Sequence, residues 1–323
     1  MANMDTTALE PQLPSSYDVT VFEEETRWVK VSGAIRRNVL LFAGSLLILA
    51  IVLFAVAGSL IIDEKRTEVG FAHAERETAD GSIKDQVAPR LKPSSEFWFG
   101  TDQFARDIFA YVAYGTLGTL WMGLIAGIIG IGIGTLLGFI GGYFGGWLDA
   151  VIVVLSDALI TIPGLMLLIT ISAYLDQLTV EQLGILIGVI SWMGTTRVVR
   201  AQVLTLKNRA YVEVSKFNGQ GDMEIVVSEL IPNLAPFIAA AFVGAVAGAI
   251  LLSIGLSALG LGPQNEPSLG LMAFWFIRFG AVPQGMWWWF GPPIVVIAIF
   301  IVGLFMITAG LDQIANPRLR TSV

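Results

Sequence analysis

The sequence predicts an all-α membrane protein with about six transmembrane helices, and three features of its 323 residues do so. Apolar residues make up 55% of the chain and charged ones only 14%, an excess that an ordinary soluble domain does not carry. The charges are gathered into a few loops instead of alternating around helix faces. Between those loops lie apolar stretches of the ~20 residues that a helix needs to cross a bilayer.

An acidic tail, residues 1–38 with Glu23-Glu24-Glu25, precedes the first span, residues 39–62. At ~1.5 Å per residue this span covers a ~30 Å hydrocarbon core with some tilt. A secretory signal is the rival reading, because Ala55-Val56-Ala57 mimics a cleavage site, but the run is too long and too far from the start. Residues 63–107 are polar, with turn formers at Asp80-Gly81 and Lys92-Pro93-Ser94-Ser95, and form an extramembrane loop. The remaining stretch, 108–323, holds five further spans. The second starts at Ile108 and ends at the glycine cluster Gly141-Gly142-Tyr143-Phe144-Gly145-Gly146. A third, Trp147 to Tyr174, is interrupted by Pro163. The fourth, Leu183 to Val199, ends at Arg197 and Arg200, the fifth runs from Leu234 to Leu261, and the sixth from Pro292 to Leu311 after an irregular loop rich in Pro, Gly and Trp.

Short loops rich in Lys and Arg stay in the cytoplasm. Arg27, Lys30, Arg36 and Arg37 precede the first span, Arg197 to Lys216 follow the fourth, and Arg318 and Arg320 follow the sixth. Six spans place all three groups, and both termini, on the cytoplasmic side. Residues 63–107 and the loop with Trp275, Trp287, Trp288 and Trp289 then lie outside, where indoles suit the membrane interface.

Several functions are disfavoured. With no cysteine and only His73, neither a disulfide framework nor a metal centre is expected. A net charge of −7 supplies no footprint for nucleic acid. There is no Gly-Lys-Ser/Thr phosphate loop and no convincing nucleophile–base set, so no catalysis and no cofactor are expected in this chain.

Between the fourth and fifth spans, residues 205–232, Ala210, Val214 and Phe217 recur at i, i+4 and i+7, which puts them on one face of a short helix whose other side is charged. Gly219 and Gly221 end that helix, and Pro232 and Pro236 suit the first turn of the next. Such a helix either seats in a partner's groove or rests on lipid headgroups. Small residues at four-residue spacing, Gly130-Gly134-Gly138-Gly142 and Gly244-Gly248, let helices approach closely, within the bundle or at a seam between subunits.

These residues carry a resemblance. Glu213-Val214-Ser215 with Gly219, Asp222 and Leu230-Ile231-Pro232 resembles the loop by which permeases of binding-protein-dependent ABC importers seat a coupling helix in an ATPase cleft. Val214 and Ser215 stand at the pattern's alanines and Glu229 at its usual Ile or His. Gly100-Thr101-Asp102 with Arg106-Asp107 resembles the extracytoplasmic signature of the C-type permeases of the dipeptide, oligopeptide and nickel branch, with Ala105 at its second glycine. Gly141-Gly142-Tyr143, Trp147, Asp149, Asp157 and Pro163 resemble that branch's turn and third helix. Leu256 to Gly262 and Asn316-Pro317-Arg318-Leu319-Arg320 match as well. Val154 replaces a common arginine three residues before Asp157, so Asp157 is expected near the cytoplasmic helix end or bonded to a neighbouring helix, a carboxylate at membrane depth costing on the order of 2.5–3.5 kcal/mol or more.

The resemblance implies a multi-pass permease in a prokaryotic cell membrane. Its implied partners are a second, homologous permease, two cytoplasmic ATPases that bind ATP and Mg, and an extracytoplasmic solute-binding protein. Short peptides are the implied solute, with oligosaccharides or nickel as alternatives. A stand-alone secondary transporter is the rival of another class, for which the chain shows neither a clear inverted repeat nor a set of intramembrane ion ligands.

Overall fold

The computed structural model describes residues 38–77, 83–175 and 177–315. The acidic tail, the Asp80-Gly81 turn, Asp176 and the Asn316–Arg320 motif lie outside the described residues. Among the described residues, five helices are long and apolar enough to cross a membrane: α1 (Val39–Ile61), α2 (Ile108–Phe144), α5 (Val180–Leu206), α7 (Asp222–Ala258) and α9 (Trp287–Ala315). Between α2 and α5 lie α3 (Gly146–Ile160) and α4 (Gly164–Ser172), bent by 75° at Pro163. Pro163 cannot continue α3 and serves instead as the N-cap residue of α4.

Packing decides whether the bent pair crosses the membrane. A Cβ placed on Gly130, Gly134, Gly138 or Gly142 would lie 2.5 to 2.9 Å from Ser191, Thr195, Val199 or Val203, respectively. Both sets rise by four residues together, so α2 and α5 run parallel along a seam that only glycine permits. Parallel neighbours need an odd number of crossings between them. The α3–α4 pair therefore makes one crossing, and the described residues cross six times. Helix α7 runs antiparallel to α2, with Gly123 against Ile250 and Gly127 against Val246. Helices α1 and α9 are antiparallel and equally close, Gly44 against the Gly303 carbonyl and Gly310 against Leu41. Asn38 caps α1 and donates to Gly310 O at 2.9 Å. The glycine pair of α7 behaves differently: among the described residues nothing lies within 4 Å of a Cβ on Gly244 or Gly248, so these two do not pack against the described bundle.

Three element boundaries depart from the sequence reading. Helix α5 does not stop at Val199; it continues to Leu206 and carries Arg197 and Arg200 inside it, because carboxylates on α3 pair with both. The fifth span begins at Asp222, twelve residues before Leu234. Its prolines fall inside a continuous helix, where a π segment, Val226–Leu230, loosens the turn ahead of Pro232. Helix α9 starts at Trp287, with Pro292 and Pro293 in its second turn.

The face opposite the α5–α7 connection is more ordered than a loop. Residues 63–107 include an antiparallel hairpin, β1 (His73–Glu77) with β2 (Ile83–Val87), in the register His73 to Val87. The Trp-rich connection contains a helix, α8 (Leu269–Arg278). Trp288 and Trp289 are buried against Ile108, Met272 and Phe276, so these indoles fill a core instead of lying at the interface; Trp287 alone of the three is exposed.

The seam gives a test with an internal control. Gly138→Leu drives a side chain into Val199 and is expected to destabilise by about 1–3 kcal/mol or more, read as a lower melting temperature in detergent. Gly132→Leu, on the open side of the same helix with nothing within 4 Å of its Cβ, is expected to leave it unchanged.

Candidate functional site

The connection between α5 and α7 holds an eight-residue helix, α6 (Ala210–Phe217). Its C-terminal stop is local chemistry: Gly219 sits at φ +82, its N–H bonds Lys216 O at 3.0 Å, and the next N–H, of Gln220, bonds Ser215 O at 3.2 Å. A left-handed residue there closes two otherwise orphaned carbonyls, and glycine takes that conformation without Cβ strain. Asp222 follows at once and begins α7.

Helix α6 has two distinct faces. Val212 is fully buried and Ser215 nearly so, seated on a cluster formed by Phe139 and Tyr143 of α2, Val199 and Val203 of α5, and Ile225 and Leu230 of α7. Ala210, Glu213, Val214 and Phe217 are exposed, Phe217 at 90%. Of the motif residues, Ser215 therefore belongs to the seat rather than the outer face, and Pro232 is exposed inside α7. The seat is also tied by polar contacts. Tyr143 Oη donates to Asp222 Oδ1 at 2.8 Å, Lys216 Nζ lies 5.8 Å from the Tyr143 ring centroid, and Lys207 Nζ donates to Gly142 O at 2.8 Å near the C-terminal end of α2.

The third-helix motif is cross-linked to α5. Arg200 makes a two-pronged contact with Asp149, its NH2 group 2.6 Å from Oδ2. Asp157 lies in the last turn of α3, the end away from α6, and is bonded to Arg197 of the neighbouring helix, the second of its two expected placements; both side chains of this pair are about half exposed. The charge missing at Val154 is thus supplied from the neighbouring helix. Arg197 and Arg200 were legible only as positive charges near a span end; the signal for pairing was two acids and two arginines stranded in otherwise apolar helices.

On the opposite face, the signature 100–107 folds into one compact turn. Gly100 sits at φ +70 against the Leu91 carbonyl and Trp288, where a Cβ has no room. Thr101 Oγ1 accepts from Leu91 N and donates to Ala88 O. Asp102 accepts from the N–H of Phe104 and of Arg106 and forms a buried ion pair with Arg106 at 2.6 Å. Burial pushes the Asp102 carboxyl above the usual carboxylate range, opposed by the Arg106 guanidinium and its hydrogen bonds. Arg106 also lies over the rings of Phe104 and Tyr111. Asp107 caps α2 through the Phe109 N–H at 2.9 Å and pairs with Arg66 at 2.9 Å. Ala105, at the pattern's glycine, keeps the left-handed conformation at φ +58. The chain thus brings its motif residues together as two separate groups on opposite faces. This outer group reads as structural bracing: the side chains of Thr101, Asp102, Arg106 and Asp107 are each engaged internally.

A family model described as binding-protein-dependent transport system inner membrane component matches residues 130–321. The chain is 30% identical to the oligopeptide transport system permease protein OppC of Lactococcus lactis subsp. cremoris over 247 residues, 75% of this chain and 82% of the relative. Against the dipeptide transport system permease protein DppC of Bacillus subtilis the identity is 29% over 287 residues, 88% of this chain and 84% of the relative. The glutathione transport system permease protein GsiD of Escherichia coli is 36% identical over 181 residues, 56% of this chain and 59% of the relative.

Arg106→Met leaves Asp102 buried without its counter-charge and is expected to destabilise by on the order of 3–5 kcal/mol. A large fall in the melting temperature of the purified chain is the expected reading, whereas Arg90→Met, at a more exposed site in the same loop, is expected to change it little.

Proposed function

Because the chain belongs to the family of inner-membrane components of binding-protein-dependent transport systems, we propose that it forms half of a translocation path for short peptides and takes its driving motion through α6. The observation that carries this reading is the two-faced seating of α6. An apolar outer face, Ala210, Val214 and Phe217, stands free while Val212 locks the inner face to three membrane-crossing helices. A helix held this way transmits a push or a twist to α2, α5 and α7 together, which is what alternating access requires of a lever.

The partners on this reading are a second, homologous permease, two ATPases on the α6 side that bind ATP and Mg, and a solute-binding protein on the face of the 100–107 turn. The chain itself does no chemistry. The α6 side, where α1 begins and α9 ends, is the cytoplasmic side of a prokaryotic cell membrane, in keeping with the bases between Arg197 and Lys216. Peptide as the solute is supported by the names of OppC, DppC and GsiD, which specify oligopeptide, dipeptide and glutathione transport.

The path runs along the flank of α5 and α7 that the bundle leaves uncovered. Nothing lies within 4 Å of a Cβ on Gly194, Gly244 or Gly248. The half-exposed Asp157–Arg197 pair borders this flank, one turn along α5 from Gly194. Charges at membrane depth that face neither protein nor lipid cheaply are accommodated where water reaches them.

Gly219→Arg is expected to leave membrane insertion intact while abolishing peptide uptake and substrate-stimulated ATP hydrolysis by the assembled importer, since a non-glycine left-handed residue costs about 1–2 kcal/mol and projects a bulky cation beside the outer face. Normal uptake by this variant contradicts the assignment of α6.

A further inference from the structure

The motif Leu256 to Gly262 builds one wall of a cavity. Helix α7 ends there with Gly260 at φ +82, and Gly262 lies so close to Ser257 that no side chain fits. The turn faces the end of α4 and the segment leading into α5, and together they enclose a pocket of about 460 Å³ on the face opposite α6. That volume is within the range of small-ligand sites.

The lining is polar but uncharged among the described residues. Gln177, Gln264 and Asn265 contribute three carboxamides, and Ser172 a hydroxyl. Ser172 is 4% exposed, and its Oγ has no hydrogen-bond partner among the described residues. A buried hydroxyl left unsatisfied costs on the order of 1–3 kcal/mol, so its placement in a cavity wall calls for a visiting partner. Gln264 Nε2 is tethered to Gly262 O at 3.0 Å, which holds its carboxamide in place, and Asn265 Nδ2 meets Gln177 Oε1 at 3.1 Å in an exposed bond open to exchange. Ser172 and Leu168 are one turn apart on α4, and Leu168 lines a second cavity with Gly194. The polar pocket is therefore stacked directly above the flank assigned to the path.

We propose that this pocket is a vestibule that holds the main chain of a short peptide, through the carboxamides of Gln177, Gln264 and Asn265 and the hydroxyl of Ser172, before it enters the path. The inference rests on the peptide-importer reading and names a site for it. A carboxamide offers the same donor and acceptor as a peptide bond, so the pairing is independent of side-chain identity. Leu175 and Leu261 leave apolar wall for side chains of any kind. Among the described residues, no aromatic ring lines the pocket to stack a sugar.

The chain has no cysteine, so a single reporter thiol can be introduced cleanly. In membranes carrying the assembled importer, maleimide labelling of Gln177→Cys is measured with millimolar tri-alanine, with maltotriose, or with neither. Tri-alanine is expected to slow labelling at least several-fold and maltotriose to leave it unchanged. Adding Ser172→Ala is expected to raise the tri-alanine concentration for half-protection about 2–10-fold, the loss of one hydrogen bond, without lowering the melting temperature. Labelling of Ser228→Cys, exposed on the α6 face, is expected to be indifferent to peptide. Absent protection, equal protection by maltotriose, or an unchanged half-protection with Ser172→Ala overturns the vestibule. Tri-alanine uptake by the same importer separates the two levels: uptake without protection removes the pocket alone, and neither uptake nor protection removes the peptide reading with it.

Discussion

The α2–α5 seam is the constraint from which the architecture follows. Four glycines in successive turns of one helix meet Ser191, Thr195, Val199 and Val203 in successive turns of the other, at separations where a methyl group would clash. Close backbone approach between membrane helices gains dispersion and lipid entropy rather than hydrophobic burial, which lipid already satisfies. Because the two helices are parallel, the chain between them has to recross the membrane. The short, bent α3–α4 pair does so, and α6 emerges on the face where the seam ends. There the seam supplies half of its seat: Phe139 and Tyr143 from one helix, Val199 and Val203 from the other.

Charge follows the same logic. Carboxylates and guanidinium groups are costly in hydrocarbon, yet Asp149, Asp157, Arg197 and Arg200 all lie within candidate spans. They are accommodated as cross-helix pairs that fasten α3 to α5 beside the seam. The more shielded Asp149–Arg200 pair braces the end of the bundle that carries α6. The more open Asp157–Arg197 pair stands further along, beside the unpacked Gly194. One face of α5 is thus glycine-tight and another left open, and along the open side lies a mostly apolar cavity, with the polar pocket next to it along α4.

Much of this was legible in the residues, for identifiable reasons. Spans could be counted because lipid demands long apolar runs, and α6 could be delimited because a helix stop at Gly219 is local chemistry. Helix ends set by partners were not legible. Arg197 and Arg200 look like a terminus until Asp157 and Asp149 are brought alongside. Pro232 looks like a first-turn residue until a π segment extends the helix behind it. The two glycine series also read alike, although Gly134 and Gly138 are filled by α5 and Gly244 and Gly248 by nothing in the bundle. Spacing shows that a close approach is permitted; it does not show whether a helix of the same chain takes it up. The vestibule was hidden for a related reason: Ser172, Gln177 and Gln264 are unremarkable singly and far apart in sequence.

A grip on α6 by an ATP-hydrolysing subunit is the contact on which the proposed function depends. A single cysteine at Phe217, in this cysteine-free chain, with a short bifunctional maleimide applied to the intact transport complex, tests that most directly. The expected result is a covalent product between this chain and the ATPase subunit, with no labelling of that cysteine by a membrane-impermeant maleimide applied outside intact cells. Labelling from outside, with no cross-link to an ATPase, would contradict it.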